Sequence, residues 1–124
     1  METNTNTGIL PVVKFSFNWN NKLSNHAFTT LRLHNPGKYV PGHRYQIELK
    51  GQPKGTAVLV EKRTVKMQDL NNFICYVDTG YNRTETIGIF KRMYKGIELT
   101  ALLDFCLFVY DEGKKQGQFF RFNQ

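Results

Sequence analysis

Two side chains of complementary chemistry lie two positions apart on one short stretch of the chain. The run Phe28–Leu33 has the alternating pattern of a β-strand, so Thr30 and Arg32 share one face about 7 Å apart. A hydroxyl and a guanidinium placed in this way can bind a phosphate or the edge of a base. The alternatives are an ordinary strand threonine, and an arginine that lies on the surface or pairs with Glu85 to tie a helix to the sheet. The opposite face, with Leu31, is apolar enough to sit on a core.

A loop rich in cations follows this strand. Pro41 and Gly42 suit the central positions of a type II turn, since proline presets φ and glycine accepts a positive φ. A strand of alternating polarity, Arg44–Lys50, comes next. The loop and turn carry Lys38, Tyr39, His43 and Arg44, a mixture of cations and an aromatic ring that suits single-stranded nucleic acid. The alternative is a loop that is simply solvated.

Other side chains extend this candidate binding surface. Trp19, the single tryptophan, is either a stacking platform or part of the core. A long strand ends in the cations Lys62, Arg63 and Lys66. We expect them to enlarge the positively charged surface that attracts phosphates, and not to recognise a base sequence.

Three residues are candidates for catalysis. Glu85 has the chemistry of a general acid or base, although a helix cap formed with Asn82 explains it as well. Thr30 offers a hydroxyl. Lys22 offers an amine, which reaches the same place only if its loop folds back.

The net charge of +7 is concentrated in the first half of the chain. Residues 12–66 hold 10 Lys/Arg against 2 acidic residues, whereas the rest of the chain holds 7 against 8. This asymmetry indicates a polyanionic partner, most simply RNA or another nucleic acid. The alternative is a basic protein whose charge serves solubility.

A length of 124 residues predicts one domain with a core of its own. We divide the chain into a disordered leader at residues 1–11, a folded domain at 12–111, and a turn with a strand or tail at 112–124. Alternation or apolar runs predict strands over residues 12–18 (with Val13, Phe15 and Phe17 on one face), 28–33, 44–50, 56–66 and 102–111.

Two helices are predicted before the last strand. The first has an apolar stripe at helical spacing, with Asp69 as its N-cap and Gly80 as its end. The second covers residues 84–95 and opens with a capping box of Asn82 and Glu85. The stripe of the first helix consists of Leu70, Phe73, Ile74 and Val77.

Several other classes of protein are disfavoured. No apolar run reaches the roughly 20 residues of a membrane span, and the N-terminal residues lack the features of a signal peptide, so we expect a cytoplasmic protein without membrane contact. Cys75 and Cys106 lie in apolar runs and are predicted to be reduced core residues. The histidines are not at ligand spacing and no phosphate-binding glycine loop occurs, so neither a metal nor a cofactor is predicted.

The order of these features resembles the ASCH (activating signal cointegrator homology) family of the PUA-like superfamily. The residues that carry the resemblance are Thr30-Leu31-Arg32, Pro41-Gly42 before the strand 44–50, and Gly80 with Glu85 and Tyr94. It spans about residues 12–111. The resemblance implies an α+β fold, namely a mostly antiparallel β-barrel of about five to six strands with two flanking helices, and a cleft associated with RNA.

The resemblance also implies two functions. Some ASCH-like proteins are linked to RNA binding or cleavage, and others resemble amidohydrolases of acylated cytidines. The enzymatic members carry a Lys-Thr-x-Thr-x-Arg stretch and a helix glutamate. Thr30, Arg32 and Glu85 match it, whereas Ala27 and Phe28 stand at the lysine and first threonine positions.

We therefore predict an RNA-binding or nucleic-acid-binding domain with a basic cleft. The alternative is a nucleoside amidohydrolase or ribonuclease that acts on modified cytidine or RNA in the same cleft. A protein-binding module is a third hypothesis, which only the phenylalanine-rich stretch Phe119–Phe122 suggests.

Overall fold

One five-stranded mixed sheet, curled into a half-barrel, carries this α+β fold. The computed structural model describes residues 9–111. The strands are β1 (Val12–Phe15), β2 (Ala27–Leu33), β3 (Arg44–Leu49), β4 (Gln52–Lys66) and β5 (Leu102–Tyr110), and the helices are α1 (Asn72–Thr79) and α2 (Arg83–Met93). Two 3₁₀ segments, Trp19–Ser24 and Met67–Asp69, precede β2 and α1. Most of the predicted leader and the predicted tail with Phe119–Phe122 lie outside the described residues.

The strands follow the order β1-β3-β4-β5-β2 across the sheet. β1 runs parallel to β3, and the other three neighbouring pairs are antiparallel. β4 is 15 residues long, and its register against β5 shifts between Leu59 and Glu61. A bulge bends a strand and increases its twist, so one long strand can follow the curl of the half-barrel.

The sheet is not the closed barrel that the resemblance implied. Its edges are β1 and β2, each of which pairs with one strand within residues 9–111. Side chains bridge the two edges instead. Arg32 on β2 donates from Nη1 to the backbone carbonyl of Lys14 on β1 at 2.7 Å, and the rings of Phe15 and Phe28 meet with 5.8 Å between centroids. Side-chain contacts thus join the two edges where a closed barrel would have a last backbone ladder.

Both faces of β2 are covered, whereas the sequence predicted a core on only one. Phe28 packs in the cluster that includes Phe15 and Phe108. Leu31, which points to the other face, packs with Leu103 and the helices. Thr30 is 3% exposed. The candidate hydroxyl therefore lies on a buried wall and not on an open sheet surface.

Helix α1 begins and packs differently from the prediction. Its N-cap is Asn71, whose side chain accepts from the Ile74 N–H, whereas the predicted cap Asp69 ends the preceding 3₁₀ segment. Gly80 ends the helix in the left-handed conformation, with φ at 82°, as predicted. Of the predicted apolar stripe, Leu70 and Ile74 pack in the core, whereas Phe73 and Val77 are exposed. The helix also buries the face that carries Cys75, Asp78 and Thr79.

Several local predictions are confirmed. The Val40 carbonyl accepts from the His43 N–H at 3.1 Å, and Gly42 has a φ of 92°, as a type II turn requires. The capping box of Asn82 and Glu85 opens α2.

The two cysteines are free and buried, as predicted. Burial, followed by the negative charge of Asp104, raises the pKa of the Cys106 thiol to about 12. A thiol with so high a pKa is a poor nucleophile at neutral pH.

Candidate functional site

A cavity of about 220 Å³ lies where the two edges of the sheet face each other. β1 and the residues that follow it form one wall, β2 forms another, and the second half of α2 covers them. The polar residues of the lining are Lys14, Ser16, Lys22, Thr30, Arg32, Asp78 and Thr79, and the apolar and aromatic ones are Phe15, Phe17, Trp19, Leu31, Ile89, Phe90, Met93 and Tyr94. Pockets for drug-sized ligands measure about 300–1,000 Å³. This smaller cavity suits a group of about the size of a nucleobase.

Arg32 spans the opening between the two edges. Its Nε donates to Thr30 Oγ1 at 3.0 Å, and its Nη1 donates to the Lys14 carbonyl at 2.7 Å. The guanidinium also lies over the Phe15 ring, 4.3 Å from its centroid, in the geometry of a cation–π contact. These two hydrogen bonds use two of its five N–H groups. The side chain is therefore held in place with donors left for a ligand, and it does not pair with Glu85 as the alternative reading proposed.

Lys22 reaches the cavity because its loop folds back. Asn20 and Asn21 take the left-handed conformation, with φ values of 60° and 52°, which asparagine tolerates better than most residues. The 3₁₀ segment can then turn Lys22 inward, beneath the end of α1. Its Nζ donates to the backbone carbonyl and to Oδ1 of Asp78, both at 2.9 Å.

The pair of Lys22 and Asp78 is buried, with both residues under 5% exposed. Thr29 donates to the same carboxylate oxygen at 2.8 Å. Burial lowers the pKa of Lys22, the charge and hydrogen bond of Asp78 oppose that change, and the positive charge of Arg32 adds to it. An amine and a carboxylate are thus held together beside Thr30 on the cavity wall.

Sequence reasoning missed Asp78. A carboxylate in the last turn of a helix is electrostatically unfavourable, because the helix dipole places partial negative charge there. Asp78 occupies that position, one residue before the end of α1. The unfavourable position was a signal that a cation from elsewhere in the chain compensates it.

Lys14 and Arg32 form a cationic rim at this site, and Lys38 lies outside the cavity lining but close enough for their charges to act on it. Lys14 and Arg32 line the cavity. The pKa of Lys38 is lowered first by burial and then by the positive charges of Arg32 and Lys14. Three cations close enough to repel one another favour an anionic ligand.

The structure separates other predicted residues from the cavity. Tyr39 is buried in the core, at 5% exposure, so its ring is not presented for stacking. Lys62 donates to the Tyr39 carbonyl at 2.8 Å. Arg44 pairs with Asp111.

Glu85, His43, Arg63 and Lys66 also lie outside the cavity lining. The Glu85 carboxylate accepts from the Asn82 N–H at 3.0 Å in the capping box. Arg63 pairs with Glu61 on the exposed surface of β4. A role for these four residues in binding or catalysis stays a prediction.

Trp19 lines the cavity and is not fully buried. Its ring lies between those of Phe17 and Tyr81, with centroids 5.1 Å and 5.8 Å away. Phe17 was predicted to share the buried face of the first strand, but β1 ends at Phe15 and Phe17 is 54% exposed. The tryptophan therefore belongs to a group of partly exposed aromatic rings.

Residues 9–111 contain neither a metal-binding cluster nor a membrane-spanning helix. No group of three or more His, Cys, Asp or Glu side chains is arranged to hold a metal ion. None of the helices in that range is both long enough and apolar enough to cross a membrane.

Comparison with known proteins gives no significant match to a protein-family model, a curated protein or a solved structure. The likeness to ASCH proteins therefore depends on the residue pattern alone.

Proposed function

We propose that this chain is an ASCH-like domain of PUA-like type that binds RNA or another nucleic acid through the cavity between β1 and β2. The observation that supports this proposal is the meeting of Thr30, Arg32 and Lys22 on one small cavity with aromatic walls and a cationic rim. Thr30 and Arg32 were singled out from the strand pattern alone.

The cavity and its rim match the two parts of a nucleotide. A base inserted into the cavity meets apolar and aromatic walls, and the Thr30 hydroxyl and the remaining Arg32 donors can bond its polar edge. Lys14 at the rim and Lys38 near it can neutralise the adjoining phosphates. The ligand is then a base with its phosphate, from a single strand, since a paired base cannot enter a cavity.

Replacement of Arg32 tests the proposal. We expect Arg32→Ala to weaken the binding of a short labelled single-stranded RNA by about 10- to 100-fold, because hydrogen bonds from a charged donor are lost. Fluorescence anisotropy measures the affinity. Lys54→Ala, which removes an exposed positive charge from β4 outside the cavity lining, serves as the control and should bind almost as wild type.

The same titration at several salt concentrations tests whether the cations at the rim neutralise phosphates. If Lys14 and Lys38 each neutralise one phosphate, the slope of log K against log salt concentration should be about −1.4 for a single strand. Thermal unfolding of each variant checks that the edges of the sheet remain joined. Equal affinities for Arg32→Ala and Lys54→Ala would exclude the cavity as the site.

A second candidate function is that of an amidohydrolase. The buried pair of Lys22 and Asp78 supports it. ASCH-like enzymes that act on acylated cytidines resemble this chain at Thr30 and Arg32, and they need a lysine where Ala27 stands. We propose that Lys22 supplies that amine and that Asp78, rather than Glu85, supplies the acid. A lysine whose pKa is lowered by burial is more readily neutral, as a base or nucleophile must be.

Turnover of N4-acetylcytidine tests this second candidate. Release of cytidine is expected from the wild-type protein and from Glu85→Gln, and not from Lys22→Met or Asp78→Asn. Circular dichroism identifies any variant that fails to fold, since both replaced groups are buried. Absence of turnover in the folded wild-type protein would reject the enzyme and leave the binding proposal unaffected.

A further inference from the structure

Three aromatic rings form a partly exposed group next to the cavity. The ring of Trp19 lies 5.1 Å from that of Phe17 and 5.8 Å from that of Tyr81, measured between centroids. Phe17 is 54% and Tyr81 41% exposed. Phe17 and Trp19 also line the cavity. This group, which we call the aromatic platform, therefore continues the cavity wall onto the surface of the molecule.

The backbone beneath the platform is held in place on both sides. Asn20 takes a φ of 60°, and its Nδ2 donates to the Val77 carbonyl at 3.4 Å. The N–H of Leu23 donates to Asn18 Oδ1 at 2.9 Å. On the other side, the Tyr81 N–H donates to Thr79 Oγ1 at 3.0 Å. The rings are thus presented by an ordered support, which lowers the entropy lost when a ligand binds them.

Close packing also joins the loop to the end of α1 below the platform. A Cβ atom at Gly80, whose φ is 82°, would lie 3.3 Å from Asn20 Oδ1. Glycine at this position lets the loop and the helix approach each other. The spacing between Trp19 and Tyr81 follows from that approach.

A shallow hollow of about 460 Å³ lies across the platform. Its rim carries the uncharged side chains of Asn18 and Asn20 beside the three rings. The plane of the Trp19 ring is inclined by 44° to that of Phe17 and by 77° to that of Tyr81, so the rings do not form one flat surface. An exposed face of one ring, with amide groups at its edge, suits a planar heterocycle that has hydrogen-bonding groups on its perimeter. Lys14, which lines the adjoining cavity, can neutralise the phosphate that connects one base to the next.

We propose that the aromatic platform stacks the base next to the one held in the cavity, so that the protein binds at least two consecutive nucleotides of a single strand. This inference rests on the proposed nucleic-acid-binding function. A base is the occupant that the observations favour, because the platform is continuous with a cavity that combines base size with a cationic rim. Stacking of this kind tolerates any base, since every base has a π-face.

Trp19 provides a direct probe because it is the only tryptophan of the chain. The protein is titrated with uridine 5′-monophosphate, with the dinucleotide of uridine and with an eight-nucleotide oligouridine while its tryptophan fluorescence is recorded. We expect the dinucleotide and the oligomer to quench the fluorescence and to bind more tightly than the mononucleotide. Tyr81→Ala and Phe17→Ala should weaken oligomer binding by about 5- to 100-fold, the range for loss of one base–aromatic stack.

Two control variants separate stacking from a general effect on the fold. Tyr81→Phe keeps the ring and should bind as wild type. Tyr76→Ala removes a tyrosine of α1 that is 53% exposed and does not line the hollow, and it should also bind as wild type. Mononucleotide binding should be unchanged in Tyr81→Ala, because the cavity residues are intact.

The outcomes distinguish this inference from the proposal on which it rests. If the mononucleotide and the oligomer bind equally, and Tyr81→Ala and Phe17→Ala leave oligomer binding unchanged, the platform is not a second base site, whereas the cavity proposal survives. An equal loss of mononucleotide and oligomer binding in Tyr81→Ala would overturn the inference too, since the ring would then serve the cavity. No binding of any probe at low salt would overturn both.

Discussion

At the scale of single residues, two buried carboxylates connect parts of the chain that are distant in sequence. Asp78 joins α1 to Lys22 and Thr29. Asp104 on β5 is fully buried, accepts from Thr64 Oγ1 and the Asn35 N–H at 2.8 Å, and lies 2.8 Å from Nδ1 of His34. A buried carboxylate is stable only when donors of this kind surround it.

Asp104 makes the stability of the fold depend on pH. Burial alone would raise the pKa of this carboxyl, but the hydrogen bonds from Asn35, His34 and Thr64 outweigh burial and hold it below the ordinary value of 3.8. Because the folded pKa is the lower one, the carboxylate stabilises the fold above the unfolded pKa. This contribution is lost as the pH falls through the folded pKa.

We expect Asp104→Asn to lower the free energy of unfolding at pH 7 by about 1–3 kcal/mol, since a buried donor loses its acceptor. The difference from wild type should begin to shrink as the pH falls below about 3.9, where the unfolded chain takes up the proton, and should go on shrinking until the pH is below the folded pKa. Urea unfolding at pH 7 and pH 3 measures both values. Asp69→Asn, at an exposed position, is the control. A difference that stays constant across this pH range would contradict the assignment.

At the scale of elements, the cap at the start of α2 accounts for a glutamate at position 85 without a catalytic role. Asn82 Oδ1 accepts from the Glu85 N–H at 2.8 Å, and the Glu85 carboxylate accepts from the Asn82 N–H at 3.0 Å. Both bonds satisfy N–H groups that a helix start leaves without intrahelical partners. The negative charge in the first turn also opposes the positive end of the helix dipole.

Replacement of the cap should therefore change stability. Asn82→Ala is expected to lower the free energy of unfolding by about 1 kcal/mol, the typical effect of losing an N-cap. Asn82→Asp, which keeps an acceptor, should be close to wild type, and Glu85→Gln should be nearly neutral because its amide oxygen can still accept the reciprocal bond. Urea denaturation measures all three. Equal stability of Asn82→Ala and wild type would show that the cap contributes little.

At the scale of the whole molecule, the open sheet distributes stability unevenly. β4 and β5 each have two neighbouring strands and bury fully covered side chains such as Leu59 and Phe108. β1 has four residues and one neighbour, β3. The cavity therefore lies beside the least supported strand, where movement of an edge can admit a ligand.

Amide hydrogen exchange followed by NMR tests this distribution. We expect the slowest exchange in the middle of β4 and β5, and protection lower by about ten-fold or more in β1. Arg32→Ala should increase exchange in β1 specifically, because the Arg32–Lys14 hydrogen bond joins that edge to β2. Uniform protection across all five strands would contradict this view of the sheet.

Much of the local structure could be predicted from the residues themselves. Alternation identified β2 and β3, and the Pro41-Gly42 turn, the Gly80 helix end and the Asn82–Glu85 cap followed from short-range backbone preferences. These features depend on neighbours within a few positions of the chain. Sequence alone also placed Thr30 and Arg32 on one face of β2, because the strand period decides which side chains lie together.

Only the tertiary structure decided the composition of the site. The bridge between the two sheet edges, the inward turn of Lys22 and the burial of Asp78 on α1 depend on contacts between residues about 20 to 60 positions apart. The apolar stripe predicted only part of the buried face of α1, because Asp78 is buried by its contacts with Lys22 and Thr29. Phe17, Trp19 and Tyr81 likewise meet because a loop and a helix end pack together, and no periodicity within a single segment encodes that meeting.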